Sequence, residues 1–138
     1  MSDITASEAL RDFIAGRLST AGGCYMWATL HSSMAAIAVG TVYASTSLNE
    51  LSTALGYTAG GKTCGTITQT DGKLDTPNVE WTASGGTLSC AGGCLWINDS
   101  NDIVGAALVS SEDNAQDASD GNKMTYAFTD PIEIPTPA

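Results

Sequence analysis

The chain has 138 residues, the length of one domain with a sizeable core; 43% of them are hydrophobic and 14% are charged, below the ~25% of an ordinary soluble protein. Fifteen acidic and five basic residues give a net charge of −10, and because phosphate contacts need clustered Lys and Arg, this argues against a nucleic-acid partner. No apolar run reaches the ~18 residues of a membrane span, so we also expect no membrane partner.

Three parts are expected along the chain. Residues 1–22 form an N-terminal amphipathic helix or arm, residues 23–130 a β-sandwich domain, and residues 131–138 an extended proline-rich tail. The first ten residues are acidic and polar, unlike a secretory signal, so we expect synthesis in a cytosol.

The N-terminal helix begins at a capping box, in which Thr5 is followed three residues later by Glu8. Gly22-Gly23 is expected to end it. Two interpretations of its apolar stripe are open: the stripe covers the core of its own domain, or it docks on a neighbouring molecule. The stripe, at helical spacing, consists of Leu10, Phe13, Ile14 and Leu18.

The next stretch changes from helical to β character. Residues 24–33 are rich in β-forming side chains and predict a strand that is mostly buried on both faces. Residues 34–44 fit a strand or a short helix, whereas Ser47 with Glu50 three positions later predicts one helical turn. Residues 56–61 predict a loop, residues 62–70 alternate as a strand, and Asp71-Gly72 is a hairpin turn signal.

The second half predicts a meander of short strands. We expect strands at 78–83, 87–97, 103–110 and 123–128, with turns at 84–86 and 98–102 and a bulge at Gly92-Gly93. Residues 110–123 predict a mobile acidic surface loop, and the tail is at most an edge strand. Together these elements predict a mainly β fold, an antiparallel β-sandwich or barrel-like domain with one N-terminal α-helix.

Four cysteines are disulfide candidates, and four allow three pairings that sequence cannot separate. In a straight strand the α-carbons of Cys90 and Cys94 would lie ~13 Å apart, too far for a bridge, so a bridge between them requires the glycines between to turn the chain. Cross-strand bridges to Cys24 or Cys64, and buried thiols, are the alternatives. A zinc site of three cysteines with His31 is a weaker one, because the spacing does not fit zinc modules.

The sequence lacks the parts of known hydrolytic sites. His31 is the one histidine, and no G-x-S-x-G elbow accompanies it. Glu80 beside Trp81 would suit a catalytic carboxylate, but its place in an alternating strand favours an exposed structural position. Both Asx-rich stretches, 98–102 and 112–120, depart from the twelve-residue calcium loop. We therefore expect no enzymatic activity, no metal and no cofactor.

Residues 56–63, GYTAGGKT, match the letters of a phosphate-binding P-loop. A P-loop opens a helix, however, and the residues that follow here are β-branched and interrupted by glycine. We expect a structural loop rather than a nucleotide site.

Three segments together resemble a family of small tailed-bacteriophage virion proteins: E-L-S-x-x-x-G-Y-T-A-G-G-K-T at 50–63, V-x-W-T at 79–82 and T-L-S-C-A-G-G-C-L-W-I-N-D at 87–99. The resemblance covers about residues 24–128, and the glycine motif is its most specific part. The four cysteines, the N-terminal helix and the proline-rich tail depart from the family pattern.

The resemblance implies a virion structural protein, similar to the head decoration (cement) proteins that stabilise the capsid shell. It implies synthesis in the host bacterial cytoplasm, a location on the capsid surface, and as partners the major capsid protein and further copies of the chain in a homotrimer. The alternative is a tail or fibre component that binds a host surface glycan by stacking sugars on Trp81 or Trp96. The residues that we expect at an interface are Leu10, Phe13, Ile14, Leu18, Trp81 and Trp96.

Overall fold

The computed structural model describes residues 8–35, 37, 42–43, 48–99, 106–111, 115–127 and 132–133. This part of the chain is mainly β with a short N-terminal helix, as the sequence predicts. The residues Thr5 and Ser47 and most of 34–44 lie outside it. The elements are α1 (Glu8–Leu18), a 3-10 turn (Thr20–Gly22), β1 (Cys24–His31), β2 (Lys62–Thr63), β3 (Thr68–Thr70), β4 (Lys73–Asp75), β5 (Val79–Thr82), β6 (Leu88–Cys90), β7 (Gly92–Asp99), β8 (Ala106–Ser111), β9 (Gln116–Ala118), β10 (Lys123–Tyr126) and β11 (Ile132–Glu133).

The largest sheet is antiparallel and has the strand order β2-β1-β7-β8. Its two central strands pair along their full length, with Trp27 opposite Trp96 and Leu30 opposite Gly93. The pairing of β7 with β8 shifts register between Leu95 and Trp96, which is where the sheet is irregular. The bulge expected at Gly92-Gly93 is therefore misplaced: those glycines begin β7.

The later strands pair as nested hairpins, not as the expected meander. The innermost pair is β7 with β8, and β6 with β9, β5 with β10 and β4 with β11 lie successively outside it. The predicted strand 87–97 is divided at Ala91, because its two halves belong to different sheets. The segment 110–123 is not wholly a loop, since Ala118 in β9 pairs with Leu88 and is buried.

Two hydrophobic clusters lie on opposite faces of the large sheet because side chains alternate along a strand. Met26, Ala28 and Leu30 of β1 point into the main core, where they meet residues of the smaller sheets. Trp96 and Cys94 of β7 point to the other face and form a second cluster. The residues that cover the second cluster are Met34, Ile37 and Leu48, with Trp27 and Tyr43 partly buried beside them.

Two local predictions have clear outcomes. The Asp71-Gly72 turn joins β3 to β4 with φ of 51° and 73°, the left-handed pair of a two-residue hairpin, so this prediction is confirmed. The strand expected at 62–70 is instead broken into β2 and β3, because Cys64 and Ile67 between them both turn inward. There the Ile67 amide donates to the Thr20 hydroxyl at 2.8 Å.

Helix α1 packs one side against the main core. Ala15 is fully buried and Leu18 packs against the same cluster. The helix ends at Leu18, earlier than Gly22-Gly23, and a 3-10 turn carries the chain to Gly23, whose φ of 94° only glycine adopts readily.

Candidate functional site

The GYTAGGKT segment is organised by a single carboxylate. Glu50 Oε1 accepts hydrogen bonds from the Tyr57 hydroxyl at 2.6 Å and from the Gly60 amide at 2.7 Å. Glu50 Oε2 accepts one from the Tyr43 hydroxyl at 2.7 Å. The Tyr57 oxygen in turn accepts from the Leu30 amide at 3.2 Å, which ties the loop to β1. Burial and the carboxylate together raise the pKa of Tyr57, so the phenol stays protonated and donates.

This segment is a structural loop. Glu50, expected three residues after a cap at Ser47, binds the loop instead, and residues 48–55 contain no helix. At Gly56 and Gly61 a Cβ would overlap the Thr82 and Ala28 carbonyl oxygens, and both residues have positive φ. The strand β2 follows at Lys62, where a P-loop requires a helix.

His31 lies at the centre of a second buried network. Its ring is fully buried, with Nδ1 2.7 Å from the Leu48 carbonyl oxygen and Nε2 2.6 Å from the Thr29 hydroxyl. The Trp96 indole N–H donates to the same hydroxyl at 2.7 Å. Because a carbonyl oxygen can only accept, Nδ1 carries the proton and Nε2 of the neutral ring accepts from Thr29.

The environment of His31 favours the neutral ring. Burial lowers its pKa below the usual 6.5, against smaller raising effects of the Leu48 carbonyl and the Glu50 carboxylate. With both nitrogens bonded and no exposed surface, the side chain holds structure together and has no access to a substrate.

Glu80 occupies the outer face of β5, as the alternation of the strand predicts. Val79 and Trp81 beside it are buried, whereas Glu80 forms an exposed ion pair with Lys123 at 3.0 Å. Its backbone oxygen accepts from Lys62 at 2.8 Å. An exposed, ion-paired carboxylate has none of the environment that makes a catalytic acid.

The four cysteines are thiols and none of them is bridged, which matches the thiol alternative and none of the disulfide pairings; Cys24, Cys64 and Cys94 are buried and Cys90 is partly exposed. Cys94 is in the second cluster, whereas Cys24, Cys64 and Cys90 belong to the main core on the opposite side of the sheet. Cys90 and Cys94 are also in different sheets, so the glycines between them do not bring them together. Burial raises the pKa of Cys64 and Cys90 and raises that of Cys94 to about 12.

The expected interface residues fall into two groups. Trp81 and Trp96 are 5% and 0% exposed, so these two are internal and cannot contact a partner or a sugar, whereas Leu18 is partly buried against the core. Phe13, Leu10 and Ile14 are 66%, 43% and 37% exposed and lie side by side on the outer face of α1. We call these three residues the outer face of α1.

A cleft lined by aromatic rings includes Trp27 and Tyr43, which pack against the second cluster. Tyr25 and Trp27 of β1 have ring centroids 5.7 Å apart and planes tilted by 31°, and Tyr43 stands edge-on to Trp27 at 87°. Gly60, Gly61 and Thr63 complete a cavity of about 240 Å³. This cleft was not predicted, although alternation along β1 places Tyr25 and Trp27 on one face.

Other kinds of site have little support in the described part of the chain. Within those residues, no group of three or more His, Cys, Asp or Glu is placed to hold a metal ion. None of the helical residues described there forms a segment long and apolar enough to cross a membrane. Comparisons with protein-family models, with curated proteins and with solved structures gave no match.

Proposed function

We propose that this chain is a non-enzymatic structural protein of a tailed-bacteriophage virion, a head decoration protein that attaches through the outer face of α1. The observation that carries the proposal is the exposure of Phe13, Leu10 and Ile14 on a helix whose opposite side is fixed to the core. A large exposed apolar patch on a rigid element is a common feature of protein–protein contacts.

The charge of α1 suits an assembly surface. The helix has two acidic and two basic residues, so it is neutral, whereas the whole chain has a net charge of −10. Copies of an acidic protein repel one another, and a neutral apolar surface is where that repulsion opposes contact least.

The resemblance to head decoration proteins supplies the partners. We infer that the outer face of α1 binds the major capsid protein and that the chain assembles as a homotrimer. One helix face is smaller than the ~1,600 Å² of a standard interface, and threefold symmetry would repeat the contact at each attachment point.

The test counts copies of the chain on purified particles. Phe13→Ser should reduce the retained copies about tenfold, because burying a Phe side chain contributes ~1.5–3 kcal/mol. Val42→Ser is the matched control, since Val42 is also an exposed apolar residue, at 59%, but lies outside α1. A handful of copies per wild-type particle, all at the tail, would contradict the proposal. Equal retention of both variants would contradict the role of α1.

A further inference from the structure

The aromatic cleft is rigid before any ligand arrives. Trp27 is held on its inner side by Trp96, with ring centroids 6.5 Å apart and planes at 24°. The Tyr25 hydroxyl accepts a hydrogen bond from the Asn98 side chain at 2.5 Å, and the Tyr43 hydroxyl donates to Glu50. Each ring is therefore positioned by the fold, which reduces the entropy lost on binding.

Two rings of the cleft are partly exposed, and the third is edge-on to one of them. Tyr25 is 43% exposed and Trp27 is partly exposed, and their ring planes are tilted by 31°. Tyr43 is almost perpendicular to Trp27 and also contacts Trp96, with ring centroids 5.4 Å apart. A ligand ring in the cleft would contact the exposed surfaces of Tyr25 and Trp27.

The size and polarity of the cleft restrict the kinds of ligand that it can bind. About 240 Å³ is below the ~300–1,000 Å³ of typical small-molecule sites, so the cleft holds a single ring. None of the described residues that line it is charged. Thr63 and the Tyr25 hydroxyl supply polar groups at the rim. Gly60 and Gly61 also line the cleft, and because they lack side chains they leave its space open.

We propose that this cleft binds one pyranose ring of a neutral carbohydrate. The apolar C–H face of a pyranose carries partial positive charge and stacks on the negative face of an aromatic ring, while its hydroxyls reach the polar rim. This inference does not depend on the proposed role in the virion.

Two other ligands fit less well. A nucleobase would arrive on a polyanion, which a net charge of −10 repels. A quaternary ammonium group binds over aromatic faces, and a nearby carboxylate that is free to face the cation strengthens such a site. Here none of the described residues that line the cleft is charged, and Glu50 already accepts from Tyr43, Tyr57 and Gly60.

The test is a titration of the isotope-labelled full chain, followed by NMR. The probes are methyl pyranosides of glucose, galactose, mannose and N-acetylglucosamine and their short oligosaccharides. We expect shifts at the Gly60 and Gly61 amides and at the Trp27 indole. Tyr25→Ala should weaken binding about tenfold, because it removes the more exposed of the two rings on which the sugar would stack.

A second variant and a control complete the test. Thr63→Phe fills the cleft and should abolish binding even if Tyr25→Ala is poorly folded. Phe13→Ala removes an aromatic ring that is 66% exposed elsewhere and should leave the affinity unchanged. No shift with any sugar at millimolar concentration would overturn the proposal, as would equal binding by Thr63→Phe. Shifts with tetramethylammonium in place of sugars would assign the cleft to cations and also overturn it.

Discussion

At the scale of single residues, His31 shows how one polar side chain fixes a strand to the segment that covers it. The hydrogen-bond chain runs from the Trp96 indole through Thr29 and His31 to the Leu48 carbonyl, and every donor finds an acceptor while the ring is neutral. Protonation of Nε2 would turn it into a donor that faces Thr29, whose hydroxyl already accepts from the Trp96 indole. The hydrogen bond that Thr29 now donates to Nε2 would then be lost. The network is therefore complete in one protonation state.

We predict that the stability of the protein falls with pH below about 6.5 through His31. The pKa of His31 is lowered in the folded chain, so below the unfolded value the unfolded state binds the proton and the folded state does not. Stability is full above that pH and declines by up to about 1 kcal/mol between pH 6.5 and 5.5. Urea unfolding at several pH values measures the decline.

The control for this prediction is His31→Asn, which retains a donor near the Nδ1 position but cannot be protonated. It should be less stable at pH 7 and lose the decline between pH 6.5 and 5.5. His31 is the one histidine of the chain, so other side chains add little in that window. An unchanged decline in the variant would show that a different group causes it.

Sequence alternation predicts residue environments better than it predicts residue partners. The exposed position of Glu80 follows from Val79 and Trp81 on either side. The partners of His31 do not follow, because Leu48 and Trp96 reach it from distant parts of the chain. Alternation places Trp81 on the inner face of its strand but does not separate a core from an interface, and the same holds for Trp96, since a large aromatic residue suits both.

At the scale of elements, the loop of residues 56–61 derives its shape from a side chain outside it. Glu50 binds Tyr57 and Gly60, and the Ala59 amide donates to Thr53 at 2.9 Å, so residues 50–53 and 57–60 form one unit. Because Gly56 and Gly61 lack a Cβ, this unit can lie directly against Ala83 and β1. The most specific motif of the sequence is thus a folding element.

We predict that Glu50→Gln destabilises the protein by ~1–3 kcal/mol, because an amide NH₂ would face donors that now bind a carboxylate oxygen. Glu80→Gln is the matched control: it removes an exposed ion pair and should change stability by less than ~1 kcal/mol. Denaturant unfolding of both variants measures the difference. A cost for Glu50→Gln as small as that of the control would mean that the loop is held by its glycines and by packing alone.

Elements that depend on residues adjacent in sequence could be predicted, whereas elements that depend on pairing with a distant strand could not. The hairpin of β3 and β4 depends on Asp71-Gly72, which are adjacent in sequence. The strand β9 depends on β6, and in isolation its residues, Gln116–Ala118, read as part of an acidic loop. The division of 87–97 has the same origin, because pairing with different strands separates β6 from β7.

At the scale of the whole molecule, the large sheet joins the two hydrophobic clusters. Met26 and Trp27 are neighbours on β1 yet belong to the main core and to the second cluster respectively. Leu95 and Trp96 are divided in the same way on β7. Each cluster packs on one face of this sheet, so unfolding of the sheet exposes both clusters to solvent. We therefore expect both to unfold in one cooperative transition.

The cysteines test this expectation because they report on both clusters. Cys64 is 6% exposed in the main core and Cys94 is fully buried in the second cluster, and burial raises the pKa of both thiols, so neither reacts while folded. We predict that the two are labelled with the same denaturant dependence and with free energies of opening within ~1 kcal/mol of each other. Pulsed thiol labelling followed by mass spectrometry measures each site, and the variants Cys64→Ala and Cys94→Ala assign the signals. Labelling of Cys94 at much lower denaturant than Cys64 would show instead that the segment covering the second cluster opens on its own while the main core stays folded.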